Sequence, residues 1–217
     1  MRRLTVGDDA LLVELDDGKA VVSTYRQILA MVEAGALPRP RDLVPAARTV
    51  LVDGVTPDLW WDAFTSAVSL RDLSTDPGGP ADSREVVTIA MRYDGEDLDE
   101  VAHLWHCDVD EVVRRHRDAE FTVAFCGFAP GFAYCTSAPT LPEVARRDDP
   151  RTKVPPGAVG LAGPYCGIYP VAMPGGWQLI GSTDEVMFDV DRDEPALLRP
   201  GDRVRFRDPG ASPEPEA

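Results

Sequence analysis

Arg147, Arg151 and Lys153 are the residues whose placement most suggests chemistry. They stand close together in RRDDPRTKVPPG, inside a chain whose 22 basic residues are outnumbered by 37 acidic ones. An arginine guanidinium is a planar fork of donors that matches a carboxylate or phosphate, and a lysine adds a compact point charge. The prolines of the same stretch reduce the entropy lost in holding it in one shape. Two readings of Arg151 stay open, a cation for a ligand or an ion pair with Asp148 or Asp149. Trp177 and Gln178 follow Pro174-Gly175-Gly176, placing an aromatic wall beside an amide, as in the pocket of a small polar ligand. The competing reading makes Trp177 a core residue. His116 ends an amphipathic stretch, and a helix C-terminus favours cationic imidazole. It reads either as a structural cap or as a group that holds a proton or an anion.

Other patterns close off whole classes. His103 and His106 share a helix face with Cys107 alongside, but no second cluster completes a metal set, so no metal is expected. Gly157, Gly160, Gly163 and Gly167 fit neither the dinucleotide pattern nor the phosphate loop, and no nucleophile elbow occurs. LDEVAHLWHCDVDEVVRRH has helix-turn-helix spacing, yet its first helix and turn are acidic and the chain carries a formal charge of -15. Such a surface repels phosphate backbones and anionic lipid, which argues against nucleic acid and membrane as partners. No apolar run approaches the roughly 20 residues needed to cross a bilayer. Asp8, Asp9 and Glu14 interrupt any signal-peptide core near the start. Cys107, Cys126, Cys135 and Cys166 show no paired spacing and read as reduced thiols of a cytoplasmic protein.

These side chains must be held by a framework. LTVG and ALLVEL read as a hairpin around Gly7-Asp8. Ser23 to Ala34 reads as a helix capped by Ser23, and Pro57 to Arg71 as a second, with Trp60, Phe64, Ala67 and Val68 on one stripe. Val44-Pro45 and ARTVLVDG suggest a loop and a strand. The turn-rich LSTDPGGPADSRE, from Leu73 to Glu85, is the expected domain boundary. Beyond it come a strand in EVVTIAMRY, short helices over Asp97 to His106 and Asp108 to His116, and a capping box between Asp108 and Glu111. FTVAFCGF, GFAYC, VGLAG, GIYPVAM, GWQLIGST, VMFDV and DRVRF read as strands, while DDPRTKVPPG reads as a loop. Short strands separated by glycine and proline favour a β-barrel or sandwich whose loops carry the binding groups.

The order of these segments resembles the KipI-like family, also called allophanate hydrolase subunit 1 or the B subunit of 5-oxoprolinase. The resemblance rests on GDDALLVEL, on Tyr93-Asp94-Gly95-Glu96-Asp97-Leu98, on GFAPGFAY from Gly127 to Tyr134 and on PRTKVPPGAVGLAG from Pro150 to Gly163. GIYP from Gly167 and PGGWQLIGST from Pro174 complete it, so that it runs from about Leu4 to Phe206. The chain departs from the family at Tyr165-Cys166, Cys135 and Ser182.

The resemblance implies a small α+β N-terminal domain over residues 1–78, a cyclophilin-like β-barrel C-terminal domain over 79–210, and a disordered tail over 211–217. It implies a subunit of an ATP-dependent 5-oxoprolinase, opening the lactam of 5-oxoproline to glutamate. Partners would be a homologous barrel subunit (KipA-like, the C subunit of 5-oxoprolinase) and a third subunit. ATP, with magnesium, would serve the complex and not be bound by this chain alone. Inhibition of a sensor histidine kinase and a role in urea or allophanate metabolism are the alternatives. Placed on the matching segments, Arg151 and Lys153 would stabilise developing charge and His116 would move protons. Phe128, Tyr134, Tyr169, Trp177 and Gln178 would line the substrate pocket.

Overall fold

A computed structural model describes residues 1–69 and 86–208 of the chain. It divides into two compact units, Met1–Arg84 and Glu85–Ala217. The expected boundary segment and the 211–217 tail fall outside the described residues.

The first unit begins with the hairpin β1 (Arg2–Val6) and β2 (Ala10–Glu14), turned at Gly7 with its φ of 61°. Helix α1 (Gly18–Glu33), strands β3 (Asp42–Pro45) and β4 (Thr49–Asp53), and helix α2 (Pro57–Ser69) follow. All four strands pair antiparallel in the order β1-β2-β4-β3. The period-2 rule sends Leu11 and Val13 of β2, and Val50 and Val52 of β4, to one face. Both helices bury their stripes there, through Val21, Ile28 and Met31 of α1 and Trp60, Phe64 and Val68 of α2. Helix α1 starts earlier than Ser23, because the Asp17 carboxylate accepts from the Ala20 N–H at 2.8 Å and caps it. The outer strands are blunted. On β1, Arg2 pairs with Glu14 and Arg3 with Asp58, and β3 ends in Pro45.

The second unit opens with β5 (Val87–Ala90), followed by α3 (Leu98–Leu104), α4 (Val109–Asp118), β6 (Glu120–Cys126) and β7 (Ala133–Ala138). Next come β8 (Arg151–Val154), β9 (Ala158–Ala162), β10 (Tyr165–Ile168), β11 (Met173–Gly175), β12 (Gln178–Ser182) and β13 (Arg203–Arg207). Seven strands form one sheet in the order β12-β9-β10-β7-β6-β13-β5, and β8 pairs with β11 in a two-stranded sheet. Arg151–Val154 is therefore a strand where the sequence suggested a loop. The flanking prolines conceal it, and its ladder partner, Gly175 opposite Arg151, is distant in sequence. VMFDV forms no named strand and contributes one bridge, Phe188 to Ala196. Asp108 accepts from the Glu111 N–H at 2.8 Å, as expected of the α4 cap.

The large sheet curls into a half-barrel until its two ends meet. Arg92, just past β5, exchanges two backbone hydrogen bonds of 2.8 and 2.9 Å with Ser182 of β12. Further along the same seam the Asp97 N–H donates to the Leu179 carbonyl at 3.0 Å. Two glycines make this approach feasible. A methyl group on Gly181 would collide with the Arg92 carbonyl, and one on Gly95 with the backbone of Leu179 and Ile180. One face of the sheet packs with α3 and α4 around Ile89, Val101, Trp105, Phe121, Val159 and Ile180. The other face carries Phe132, Val154, Tyr169, Trp177 and Leu179.

Gly95→Ala is expected to destabilise the second unit by about 1–3 kcal/mol through this overpacking, read as a lower urea midpoint. Gly127→Ala, whose methyl would meet open space, should change the midpoint little.

Candidate functional site

The register of the curled sheet sorts the candidate residues onto two faces. Cys166 stands opposite Leu161 and Cys135, and Gln178 also stands opposite Leu161. Tyr165 pairs with Ala162, and Gly167 with Gly160, on the other face. Two facing glycines leave that second face flat. A methyl on Gly167 would come within 2.9 Å of the Trp177 ring, and one on Gly160 within 3.1 Å of its Cβ. The indole lies across the paired strands because both positions lack a side chain.

Around the indole stands an aromatic cluster. Tyr134 stacks on Phe125 with centroids 4.4 Å apart and meets Tyr165 and Trp177 edge-on at 5.6 and 5.5 Å. Phe132 meets Trp177 and Tyr169, each at 5.3 Å. Tyr169 and Trp177 are buried, and a backbone hydrogen bond from Trp177 engages the Tyr169 phenol. Tyr134 and Tyr165 remain half-exposed. Burial raises the pKa of both phenols, so they remain protonated donors at neutral pH.

An open cleft of about 600 Å³ adjoins the cluster, lined by Glu143, Ala145, Arg146, Gly163, Pro164 and Tyr165 among others. Val144 fixes its wall by exchanging backbone hydrogen bonds of 3.1 and 2.7 Å with Gly163. Arg146 is exposed, and its charge works to lower the pKa of the phenols of Tyr134 and Tyr169 against their burial. No ion pair holds the Arg146 guanidinium among the described residues. The cleft thus offers the ring and phenol of Tyr165, with Tyr134 packed against it, and the uncommitted cation of Arg146 beside Glu143. That combination suits a small planar ligand bearing a carboxylate. In the sequence Arg146 is one basic residue among several, because the cleft forms only where its segment meets the distant Gly163 and Tyr165.

Five expected site residues lie elsewhere. The Arg151 guanidinium is already committed: it reaches both oxygens of Asp97 at 2.8 Å, Glu96 at 3.2 Å and the Trp177 carbonyl at 3.4 Å. Arg147 donates to Asp97 at 2.7 Å as well, and the Leu179 N–H donates to the same carboxylate at 2.6 Å. Asp97, not Asp148 or Asp149, is the partner. Arg151 is therefore a structural cation. Gln178 is buried, its amide donating to the Ala145 carbonyl at 3.3 Å. It braces the cleft wall from behind.

His116 is corrected most sharply. It is wholly buried, packed between Phe121 and Phe206 with ring centroids 4.9 and 4.7 Å away. Nδ1 lies 2.9 Å from the Tyr93 hydroxyl and Nε2 3.4 Å from Cys166 Sγ. Burial pushes its pKa down to about 3, so the ring is a neutral core group set apart from the cleft lining. Lys153 is exposed on β8, and Phe128 projects from the Gly127–Gly131 turn, 67% exposed.

The family model described as the carboxyltransferase domain, subdomains C and D, matches residues 1–198. The 5-oxoprolinase B subunit of Escherichia coli O157:H7 is 37% identical over 204 residues, 93% of either chain. The chain belongs to the 5-oxoprolinase B-subunit family. Among solved structures, the family's fold recurs in TTHA0988, with a TM-score of 0.70 and 34% identity. That match covers 95% of this chain but only 41% of the TTHA0988 chain. The Kluyveromyces lactis urea amidolyase, 20% identical with a TM-score of 0.68, shares the fold over 95% of this chain and 14% of its own. As a member of the B-subunit family the chain is thus matched along nearly its whole length by a separate polypeptide, and by part of longer ones. No described helix is long and apolar enough to cross a membrane.

Asp97→Ala should destabilise the second unit by about 1–3 kcal/mol in urea unfolding, because it leaves the buried Leu179 N–H without its acceptor and removes the carboxylate shared by Arg147 and Arg151. For His116, an unfolded imidazole titrates near 6.5 and the folded one near 3. The unfolded state therefore binds more protons between these values, so its contribution is complete above pH 6.5 and is lost as pH falls towards 3. Urea midpoints of the native chain should drop between pH 7 and pH 5 by more than those of His116→Phe.

Proposed function

We propose that this chain is the amide-binding subunit of an ATP-dependent 5-oxoprolinase, opening 5-oxoproline to glutamate in the cytoplasm with a homologous barrel subunit and a third subunit. The observation that carries the reading is Arg146, without an ion-pair partner among the described residues and sharing a cleft with Tyr165, in a chain matched along 93% of its length by a 5-oxoprolinase B subunit. The curled sheet is read as a cyclophilin-like barrel, with residues 1–78 and 79–210 as the two domains.

The substrate ring lies against Tyr134 and Tyr165, backed by Trp177 and Tyr169. Arg146 takes the carboxylate, and the phenols donate to the amide oxygen. Lys153, exposed on β8, is the cation assigned to charge that develops on that oxygen. Arg151 and Gln178 act through the cleft wall and touch no substrate.

None of the described helix N-termini suits the phosphates of ATP. Asp17 and Asp108 cap two helix N-termini, while Asp58 in α2 and Asp99 and Glu100 in α3 crowd the first turns of the others. Those positions would otherwise hold phosphate. The nucleotide is assigned to another subunit. What remains here is to bind and orient the amide.

Co-expression with the barrel subunit and the third subunit should yield glutamate from 5-oxoproline only when ATP is present. In that complex Arg146→Ala should raise KM for 5-oxoproline about 10- to 100-fold, the loss of one charge-assisted contact of about 1.5–3 kcal/mol. Its kcat should move far less. A soluble, assembled complex that releases no glutamate would overturn the reading.

A further inference from the structure

Glu143 and Arg146 line one cleft with opposite charges, yet they do not pair with each other. Both are exposed, and among the described residues no ion pair or hydrogen bond holds either side chain. The backbone that carries them is pinned. Val144 exchanges hydrogen bonds of 3.1 and 2.7 Å with Gly163, and the Arg147 N–H donates to the Gly176 carbonyl at 2.8 Å. Between them the Ala145 carbonyl accepts from the Gln178 amide at 3.3 Å. Three residues of the segment are thus tied to the sheet strands or the turns beside them. The two charges stand on a wall that is set before any ligand arrives, which lowers the cost of binding one.

Tyr165 lines the same cleft. A guanidinium only donates, an ionised carboxylate only accepts, and a protonated phenol can donate. The lining therefore offers two donors and one acceptor. A five-membered lactam with a carboxylate beside its nitrogen carries the complement along one edge. Its carboxylate and its carbonyl oxygen accept, and the N–H between them donates. Arg146 and the phenol answer the two acceptors. Without an acceptor of its own the ring N–H would lose its water on binding and regain nothing. Among the described residues, Glu143 is the one carboxylate in the lining.

We propose that Glu143 accepts the ring N–H and so makes the cleft select a lactam over the lactone of the same shape. This rests on the reading of the cleft as the 5-oxoproline site. In the lactone a ring oxygen replaces the N–H, so its lone pairs face the carboxylate and no hydrogen bond forms. A site built to hydrogen-bond an N–H rejects the analogue that lacks it more strongly than shape alone could. Arg146 holds the carboxylate that both compounds share, whereas Glu143 tells them apart. No bond is made or broken at Glu143; its task is to orient and to discriminate.

The test uses the co-expressed complex with ATP. Glutamate release gives KM for 5-oxoproline and the inhibition constant of the lactone analogue. In the native complex the lactone constant should exceed that KM by about 100-fold. Glu143→Gln keeps the size of the side chain, and the urea midpoint of the chain should not move. It should raise KM for 5-oxoproline about tenfold, since the hydrogen bond loses its charge. It should also lower the lactone constant, because the carboxamide can turn its NH2 to the ring oxygen. The ratio of the two constants should then shrink by at least about tenfold. Glu143→Ala, which also removes the acceptor, should narrow it in the same direction. A purely structural role would raise both constants together and leave the ratio alone. If Glu143→Gln releases glutamate and narrows the ratio by less than that, the assignment of Glu143 falls and the hydrolase reading stands. A soluble, assembled complex that releases no glutamate overturns both.

Discussion

One buried carboxylate organises the second unit. Asp97 is 4% exposed, and burying an ionised group is costly unless paired charges and hydrogen bonds replace its water. Here Arg147, Arg151 and the Leu179 N–H supply that replacement together. The geometry ties three things to one point: the start of α3, the free edge of β12, and the segment that carries Arg146. Because the partners belong to different strands and loops, the carboxylate holds the seam of the curled sheet shut. It also positions the cleft wall. The neighbouring glycines permit this contact but supply no attraction of their own.

The division of labour among the basic residues follows. Two adjacent arginines serve different surroundings, in a segment held by the bonds of Val144 to Gly163 and of the Arg147 N–H to the Gly176 carbonyl. Arg147 turns to Asp97, whereas Arg146 faces the cleft and the tyrosines. A guanidinium already surrounded by carboxylates has little left to offer a ligand, whereas Arg146 is not used by the scaffold and remains free for one. Similarly, the imidazole of His116 serves packing. Its two nitrogens meet a phenol and a thiol inside the core, where a charge would be unsupported.

Local patterns read well from the sequence where local physics decides. The Trp60, Phe64 and Val68 stripe and the Asp108 cap formed as expected, because both depend on neighbours within a turn or two. The start of α1 was displaced because Gly18 resembles a turn residue while Asp17 does the capping. Strand β8 was hidden by its prolines, although Arg151 to Val154 finds its ladder on β11. The site was less legible for a similar reason. Asp97 meets its arginines across 50 and 54 residues of sequence, and no spacing rule reaches that far. Tyr134 and Trp177 share a face only because Gly160 and Gly167 are opposite one another. That pairing depends on strand register, which a single sequence does not display.

The blunted outer strands of the first unit carry one more consequence. An unpaired strand edge invites a neighbouring chain to add to it. On β1 an incoming strand meets the guanidinium groups of Arg2 and Arg3, and on β3 it meets a proline that has no N–H to offer. Growth of this sheet from molecule to molecule is thereby obstructed at both margins, which protects a crowded solution of the protein against fibrous stacking.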